Sequence, residues 1–186
     1  FRIAPGGATE YFGVAPDLST FAKAMGNGYP IAAIGGKQTI MSYIHPTKVI
    51  HTGTYIGNAV STAAADATLE RIQTGEVFAK IKQVGGRLQV GLKEILTRYS
   101  VPHQIQGPAT MFGVILNETS PKDWREAQTC DWDLYNKIIK HMYEKNVMLG
   151  PTEDPWFLSM AHTQQDIDET LQKFEESLQQ SMQEKN

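Results

Sequence analysis

One lysine, Lys23, lies between a short apolar run and a glycine-containing turn in the segment FAKAMGNGYP, residues 21–30. Apolar neighbours that limit the water around an amine favour its neutral form, and a neutral amine is the nucleophile that attacks an aldehyde. The segment therefore suits Schiff-base chemistry at Lys23. The competing interpretation is a lysine that is simply solvated at the end of a strand.

The segment HTGTYIGN, residues 51–58, is a second candidate because it directly precedes an alanine-rich stretch. Its glycines leave backbone N–H groups accessible, and Thr54 adds a hydroxyl donor. Unpaired N–H groups and the helix dipole attract anions at a helix N-terminus, so the segment predicts a phosphate contact. The alternative is an ordinary polar loop that ends in an N-cap at Asn58.

Other catalytic patterns are missing from the sequence: it contains no Walker phosphate loop, no GxGxxG before a helix and no GxSxG. The histidines lack metal-ligand spacing, so we expect no metal site. His162, in SMAHT, is interpreted as a structural residue at the start of the last helix. The single cysteine, Cys130, cannot form an internal disulfide, which favours an ordinary thiol in a reducing compartment.

The first third of the chain is rich in glycine and proline and predicts short strands of an α/β layer. From Asn58 the pattern becomes helical, with one helix capped by Asn58 and a second that contains Gly85 and Gly86. The strands are predicted at 18–22, 31–34 and 49–51, and the helices at 59–72 and 77–99.

Beyond Pro102 short apolar runs alternate with helical periodicity, which predicts a small α+β unit. Its last helix begins at Thr163, where Asp166 completes a capping-box pattern. The strands are predicted at 104–106, 111–116, 147–149 and 156–160, and a helix around 134–142. We therefore expect two domains, 1–75 and 76–186.

Charge and hydropathy exclude two kinds of partner. The formal net charge is −3 and no basic stripe with interleaved aromatic residues is present, so nucleic acid is not an expected partner. No apolar stretch approaches the ~20 residues that cross a bilayer, so we expect no membrane segment and a cytoplasmic location.

Three segments taken in order, the first 36 residues, HTGTYIGNA and FLSMAHTQQDID, resemble class III aminotransferases. Among these, the branch of glutamate-1-semialdehyde 2,1-aminomutases is the most similar. The resemblance spans nearly the whole chain. It implies a partial fold type I of enzymes dependent on pyridoxal 5′-phosphate (PLP), in which 1–75 ends the large domain and 76–186 forms the small C-terminal domain.

The resemblance also implies roles for individual residues. Lys23 matches the lysine that forms a Schiff base with PLP, is released by the substrate amine and then moves a proton between carbons. Thr54 matches a threonine that donates to the PLP phosphate held mainly by the partner subunit of a homodimer, and Gly53 supplies closely approaching backbone. The implied substrate is a small amino acid or amine.

The resemblance further implies that three groups of the family site lie upstream of Phe1: the aspartate that pairs with the pyridine nitrogen, the stacking aromatic residue and the main phosphate loop. We therefore expect little or no turnover from this chain alone. Residues 151–156 depart from the aminomutase-like pattern, so Glu153 is not assigned the substrate-side role. Two alternatives stay open: an aminotransferase acting on another amino acid or amine, and a non-catalytic dimerisation or ligand-binding module.

Overall fold

The computed structural model describes residues 1–150 and 154–184, which form two compact units, Phe1–Phe78 and Ala79–Asn186. The boundary falls inside one long helix. In chain order the elements of the first unit are α1 (Gly7–Phe12), β1 (Leu18–Phe21), a 3₁₀ turn (Lys23–Met25), β2 (Ala33–Gly36), α2 (Gln38–Met41) and α3 (Ala59–Gln73). The remaining elements are α4 (Glu76–Arg98), β3 (Gln104–Gln106), β4 (Met111–Ile115), α5 (Trp124–Ala127), α6 (Trp132–Glu144), β5 (Trp156–Phe157) and α7 (Gln164–Gln183).

The first unit is built around a two-stranded antiparallel sheet. β1 pairs with β2, and Leu18 lies opposite Gly36 while Phe21 lies opposite Ala33. The sequence predicts the second strand two residues too early. It also predicts a strand at 49–51, which is wrong: the structure has only an isolated bridge there, between Ile44 and Val49.

Many large apolar side chains of the first unit are exposed. Its small sheet and short helices bury few large residues, so little of this apolar surface is covered within the unit. The side chains at least 45% exposed are those of Tyr11, Phe12, Val14, Leu18, Tyr29, Ile34, Tyr43, Val49, Ile50, Tyr55, Ile56 and Val60.

The second unit has a well-packed core between a sheet and three helices. β3, β4 and β5 form an antiparallel sheet in that order, and α6 packs against α7. Alternate residues of β4 are buried, as a strand with one covered face requires. The fully buried side chains are those of Leu92 and Leu96 on α4, Phe112 on β4, Ile138 and Met142 on α6, and Phe174 and Leu178 on α7.

Capping side chains fix the starts of α3 and α7. Asn58 caps α3 by accepting a hydrogen bond from the N–H of Ser61 at 3.0 Å. Thr163 and Asp166 form the reciprocal capping box of α7. Both caps agree with the sequence predictions. The strand predicted at 147–149 is absent, and the strand predicted at 156–160 has only two residues.

Candidate functional site

Lys23 opens the 3₁₀ turn that follows β1, and its backbone is left-handed, with φ of 53°. Lysine has no side-chain group that stabilises this conformation, so such a residue stores about 1–3 kcal/mol of strain. Strained backbone of this kind persists only where its surroundings fix it, and it is concentrated at functional sites. The conformation marks Lys23 independently of its sequence context.

The environment of Lys23 differs from the sequence expectation. Met25, two residues on, is buried and anchors the turn, but Lys23 itself is exposed. The apolar neighbours in the sequence therefore do not by themselves shield the amine from water. An exposed amine is accessible to an aldehyde from solvent.

Gly26 is the residue of this turn that sequence reasoning undervalued. It is buried, and a Cβ atom at this position would lie 2.5 Å from Cγ2 of Ile31 and within contact distance of the Tyr29 carbonyl oxygen. Its N–H donates to the carbonyl of Lys23 at 3.1 Å. The only sequence signal was the glycine itself, since crowding by Tyr29 and Ile31 depends on the folded turn.

The loop at 51–58 has free donors, as a phosphate contact needs. Among the described residues, the N–H groups of Gly53, Thr54 and Tyr55 donate to no backbone carbonyl, and the Thr54 hydroxyl has no partner. The loop is held from behind by the N–H of Ile56, which donates to the Gly53 carbonyl at 3.1 Å, and by the cap at Asn58. All of Gly53, Thr54 and Tyr55 are exposed.

The two candidate segments are associated with the same helix. The Lys23–Met25 turn contacts α3, and the loop carrying Gly53 and Thr54 runs directly into the N-terminus of α3. The structure thus connects an amine and a set of anion donors to one element of the first unit. It does not bring Lys23 and Thr54 into direct contact through any hydrogen bond of the described residues.

The remaining sequence candidates have structural roles or lie elsewhere. His162 accepts the N–H of Ser159 at 3.0 Å through Nδ1, which stabilises the turn before α7. Cys130 is a buried thiol. Glu153 lies outside the described residues. Within residues 1–150 and 154–184, no cluster of three histidine, cysteine or acidic side chains is arranged to hold a metal ion.

Over the part of the chain that the structure describes, every helix is too short or too polar to span a bilayer.

Comparison with known families decides the relationship. A family model described as "Aminotransferase class-III" matches residues 6–180. This chain belongs to the class III aminotransferases. The match includes both candidate segments, with Lys23, Gly53 and Thr54 inside it.

Curated relatives of this class III chain include a glutamate-1-semialdehyde 2,1-aminomutase from Nitrosopumilus maritimus, 33% identical over 178 residues. Another is glutamate-1-semialdehyde 2,1-aminomutase 1 from Staphylococcus epidermidis, 36% identical over 180 residues. The matches cover 94% and 96% of this chain, and 42% of each relative. The chain thus spans less than half the length of the curated relatives that it matches.

Among solved structures, an omega-transaminase from Sphaerobacter thermophilus aligns with a TM-score of 0.89 and 25% identity. The alignment covers 97% of this chain and 42% of that one. The class III chain therefore has the transaminase fold over the matched part, a mixed α/β arrangement that corresponds to part of the complete fold.

Proposed function

We propose that this chain provides the lysine-bearing part of a PLP-dependent class III enzyme that moves an amino group on a small-molecule amino acid or amine. The observation that carries the proposal is the exposed amine of Lys23 on a left-handed turn that contacts α3. PLP, when bound, supplies an electron sink for the negative charge that forms beside the substrate amino group.

The chain supplies residues that fit each end of PLP, and in a homodimer the two ends of one cofactor would be met by different copies. The Lys23 amine matches the aldehyde, and the free N–H groups and hydroxyl at Gly53 and Thr54 match the phosphate, at the N-terminus of α3. In this proposal Lys23 Nζ would hold the cofactor, and the same amine, once free, would accept a proton of the substrate and return it. Thr54 Oγ1 and the backbone of Gly53 orient the phosphate.

We propose glutamate-1-semialdehyde, converted to 5-aminolevulinate, as the leading substrate. The names of the curated relatives at 33% and 36% identity support this substrate. A transaminase acting on another amino acid or amine would use the same Lys23 and Thr54. A panel of amino donors and acceptors, tested on the chain together with any upstream part of its protein, separates the two.

The domain roles follow the same proposal: residues 1–75 belong to the large PLP-binding domain and residues 76–186 form the small domain. A homodimer would place Thr54 of one copy at the phosphate of the other. The exposed apolar side chains of the first unit support such an association, because they need cover. A cytoplasmic location is part of the proposal.

The test uses the chain, PLP and borohydride. The amine of Lys23 forms a C–N bond to the aldehyde carbon, the carbonyl oxygen leaves as water, and hydride from borohydride makes the bond permanent. Peptide mapping by mass spectrometry is expected to find the adduct at Lys23 and to find none in Lys23→Ala. Lys37→Ala, which removes an exposed lysine of the same unit, should leave the adduct intact. Labelling elsewhere with Lys23 untouched would overturn the proposal.

The exposed apolar surface of the first unit also favours a second candidate, a non-catalytic module that dimerises or binds a ligand. The two candidates differ at Lys23. A module of this kind would associate in sizing experiments without taking PLP at Lys23, whereas the enzymatic candidate requires the adduct.

A further inference from the structure

Gly26 lies where the polypeptide turns back on itself after Lys23. Its N–H donates to the Lys23 carbonyl at 3.1 Å, and its own carbonyl accepts the N–H of Tyr29 at 3.0 Å. Gly26 therefore joins two consecutive turns, the first of which contains the left-handed lysine.

Only a glycine fits between these turns. A Cβ atom on Gly26 would lie 2.5 Å from Cγ2 of Ile31 and within contact distance of the Tyr29 carbonyl oxygen. The Tyr29 carbonyl oxygen belongs to the backbone, so it cannot rotate away as a side chain does. A larger residue would push the segment at Tyr29 outward and open the hydrogen-bonded turn at Lys23.

The tight turn at Gly26 explains how Lys23 keeps its unfavourable left-handed backbone conformation. A non-glycine residue at positive φ costs free energy and stays there only when neighbouring contacts fix it. The contacts that fix it here are the Gly26 hydrogen bond, the Met25 N–H donated to the Ala22 carbonyl at 3.3 Å, and the burial of Met25.

We propose that Gly26 is a positioning residue for Lys23: by allowing the tight return of the chain, it holds the lysine backbone left-handed and so fixes the origin of the reactive amine. The inference rests on the proposed function for its catalytic meaning. The link between Gly26 and Lys23 is a property of this chain and is measurable without the cofactor.

The experiment compares the chain with Gly26→Ala and with a matched control, Gly36→Ala. Gly36 is equally crowded, since a Cβ there would lie 2.8 Å from Cδ2 of Leu18, but it belongs to β2 and not to the lysine turn. Lys23 is titrated with PLP, trapped with borohydride at timed intervals, and the adduct is quantified by mass spectrometry. We expect Gly26→Ala to slow the limiting rate about tenfold with the half-saturating PLP concentration unchanged. Gly36→Ala should change neither quantity at a comparable loss of stability.

A second readout uses no PLP. Limiting acetic anhydride acetylates exposed amines: the nitrogen bonds to one acyl carbon, acetate leaves, and the amine proton passes to solvent. The ratio of labelling at Lys23 to labelling at Lys82, an exposed lysine of α4, is expected to change in Gly26→Ala and to stay constant in Gly36→Ala. If Gly26→Ala does not fold, Asn27→Ala replaces it: Asn27 has positive φ, at 46°, in the second turn, between Gly26 and Tyr29, and alanine strains that turn without adding atoms.

The outcomes distinguish the positioning role of Gly26 from the proposed function of Lys23. Unchanged trapping and labelling in the lysine-turn variants, or equal losses in Gly36→Ala, would overturn the positioning role. Absence of any Lys23 adduct in the unmodified chain would instead overturn the proposed function, while the acetylation ratio would still decide whether Gly26 controls Lys23.

Discussion

The indole N–H of Trp156 donates to the hydroxyl of Tyr135 across 2.9 Å, and both side chains are buried in the second unit. The bond joins β5 to α6. Trp156 also packs against the rings of Phe112 and Phe174, with centroids 6.0 and 5.9 Å away. A buried N–H that loses its acceptor still carries the free-energy cost of leaving water. Breaking this hydrogen bond therefore destabilises the second unit more than breaking an exposed one.

Replacing Tyr135 by phenylalanine removes the acceptor and leaves the Trp156 N–H unpaired. We expect the free energy of unfolding to fall by about 1–3 kcal/mol. Urea denaturation followed by tryptophan fluorescence measures this change. Tyr143→Phe is the control, since Tyr143 lies on the same helix but is exposed. Equal stability of the two variants would show that the buried bond contributes nothing.

Tyr135 also predicts an alkaline limit of stability. Burial raises the pKa of Tyr135 above its ordinary value of 10.0, the hydrogen bond from Trp156 opposes this in part, and the charge of Asp154 adds to it. The folded state therefore holds the phenolic proton more tightly than the unfolded state. The resulting stability is complete below about pH 10 and is lost as the pH rises through the folded pKa. The urea midpoint is measured on both sides of pH 10, and Tyr135→Phe should lose this part of the slope.

Local chemistry made several elements of this fold predictable. The pair Thr163 and Asp166 predicts the start of α7 because the capping box needs only residues three positions apart. Asn58 predicts the start of α3 for the same reason. The amphipathic periodicity of α4 and α7 is likewise contained in the segments themselves.

Elements that depend on distant partners, or on a single side-chain hydrogen bond nearby, were not predictable. The run at 49–51 has strand composition, but among the described residues Val49 bridges only Ile44. The short helix α1 depends on the Glu10 carboxylate, which accepts the Gly6 N–H at 2.6 Å. Nothing in the type of Lys23 indicates its left-handed backbone, because that conformation is fixed by the crowded return at Gly26. The sequence thus identified the candidate lysine but not its geometry.

The cap of α7 predicts an acid limit of stability for the second unit. The Thr163 hydroxyl donates to the Asp166 carboxylate at 2.7 Å and the Thr163 N–H donates at 2.7 Å, and these bonds lower the pKa of Asp166. A lowered folded pKa gives stability that is present above about pH 4 and is lost as the pH falls through the folded value. Thr163→Ala should destabilise by about 1 kcal/mol at neutral pH.

The difference between the chain and Thr163→Ala should shrink on acidification, because protonated Asp166 no longer accepts a charge-assisted bond. Urea denaturation across the acid range measures it. Thr97→Ala is the control, since the Thr97 hydroxyl bonds only to the Lys93 carbonyl within α4. A difference that stays constant down to low pH would argue against the charged cap.

The strain at Lys23 predicts an unusual order of stability. Lys23→Gly and Lys23→Ala both remove the amine, but only glycine adopts positive φ without a steric penalty. We expect Lys23→Gly to be more stable than Lys23→Ala by about 1 kcal/mol. At Lys82, inside α4 and exposed, the order should reverse, because glycine there is less favourable than alanine by about 1 kcal/mol. The same order at both positions would mean that the lysine turn stores no strain.

The adjacent glycines of α4, Gly85 and Gly86, differ in what surrounds them. By propensity alone both weaken the helix, and alanine would stabilise either by about 1 kcal/mol. A Cβ on Gly85, however, would lie 2.9 Å from the carbonyl carbon of Ala109 and closer still to its oxygen, whereas a Cβ on Gly86 would meet nothing within 4 Å. The loop at Ala109 therefore approaches α4 through the space that Gly85 leaves.

We expect Gly86→Ala to raise the free energy of unfolding by about 1 kcal/mol and Gly85→Ala to lower it by about 1–3 kcal/mol. Both variants replace glycine by alanine at adjacent positions of the same helix. The difference between their free energies of unfolding therefore reports the packing against Ala109 and not the helix propensity. Thermal and urea unfolding of both variants measure it. If Gly85→Ala stabilised the chain as Gly86→Ala does, the loop at Ala109 would have to lie farther from α4 than the structure places it.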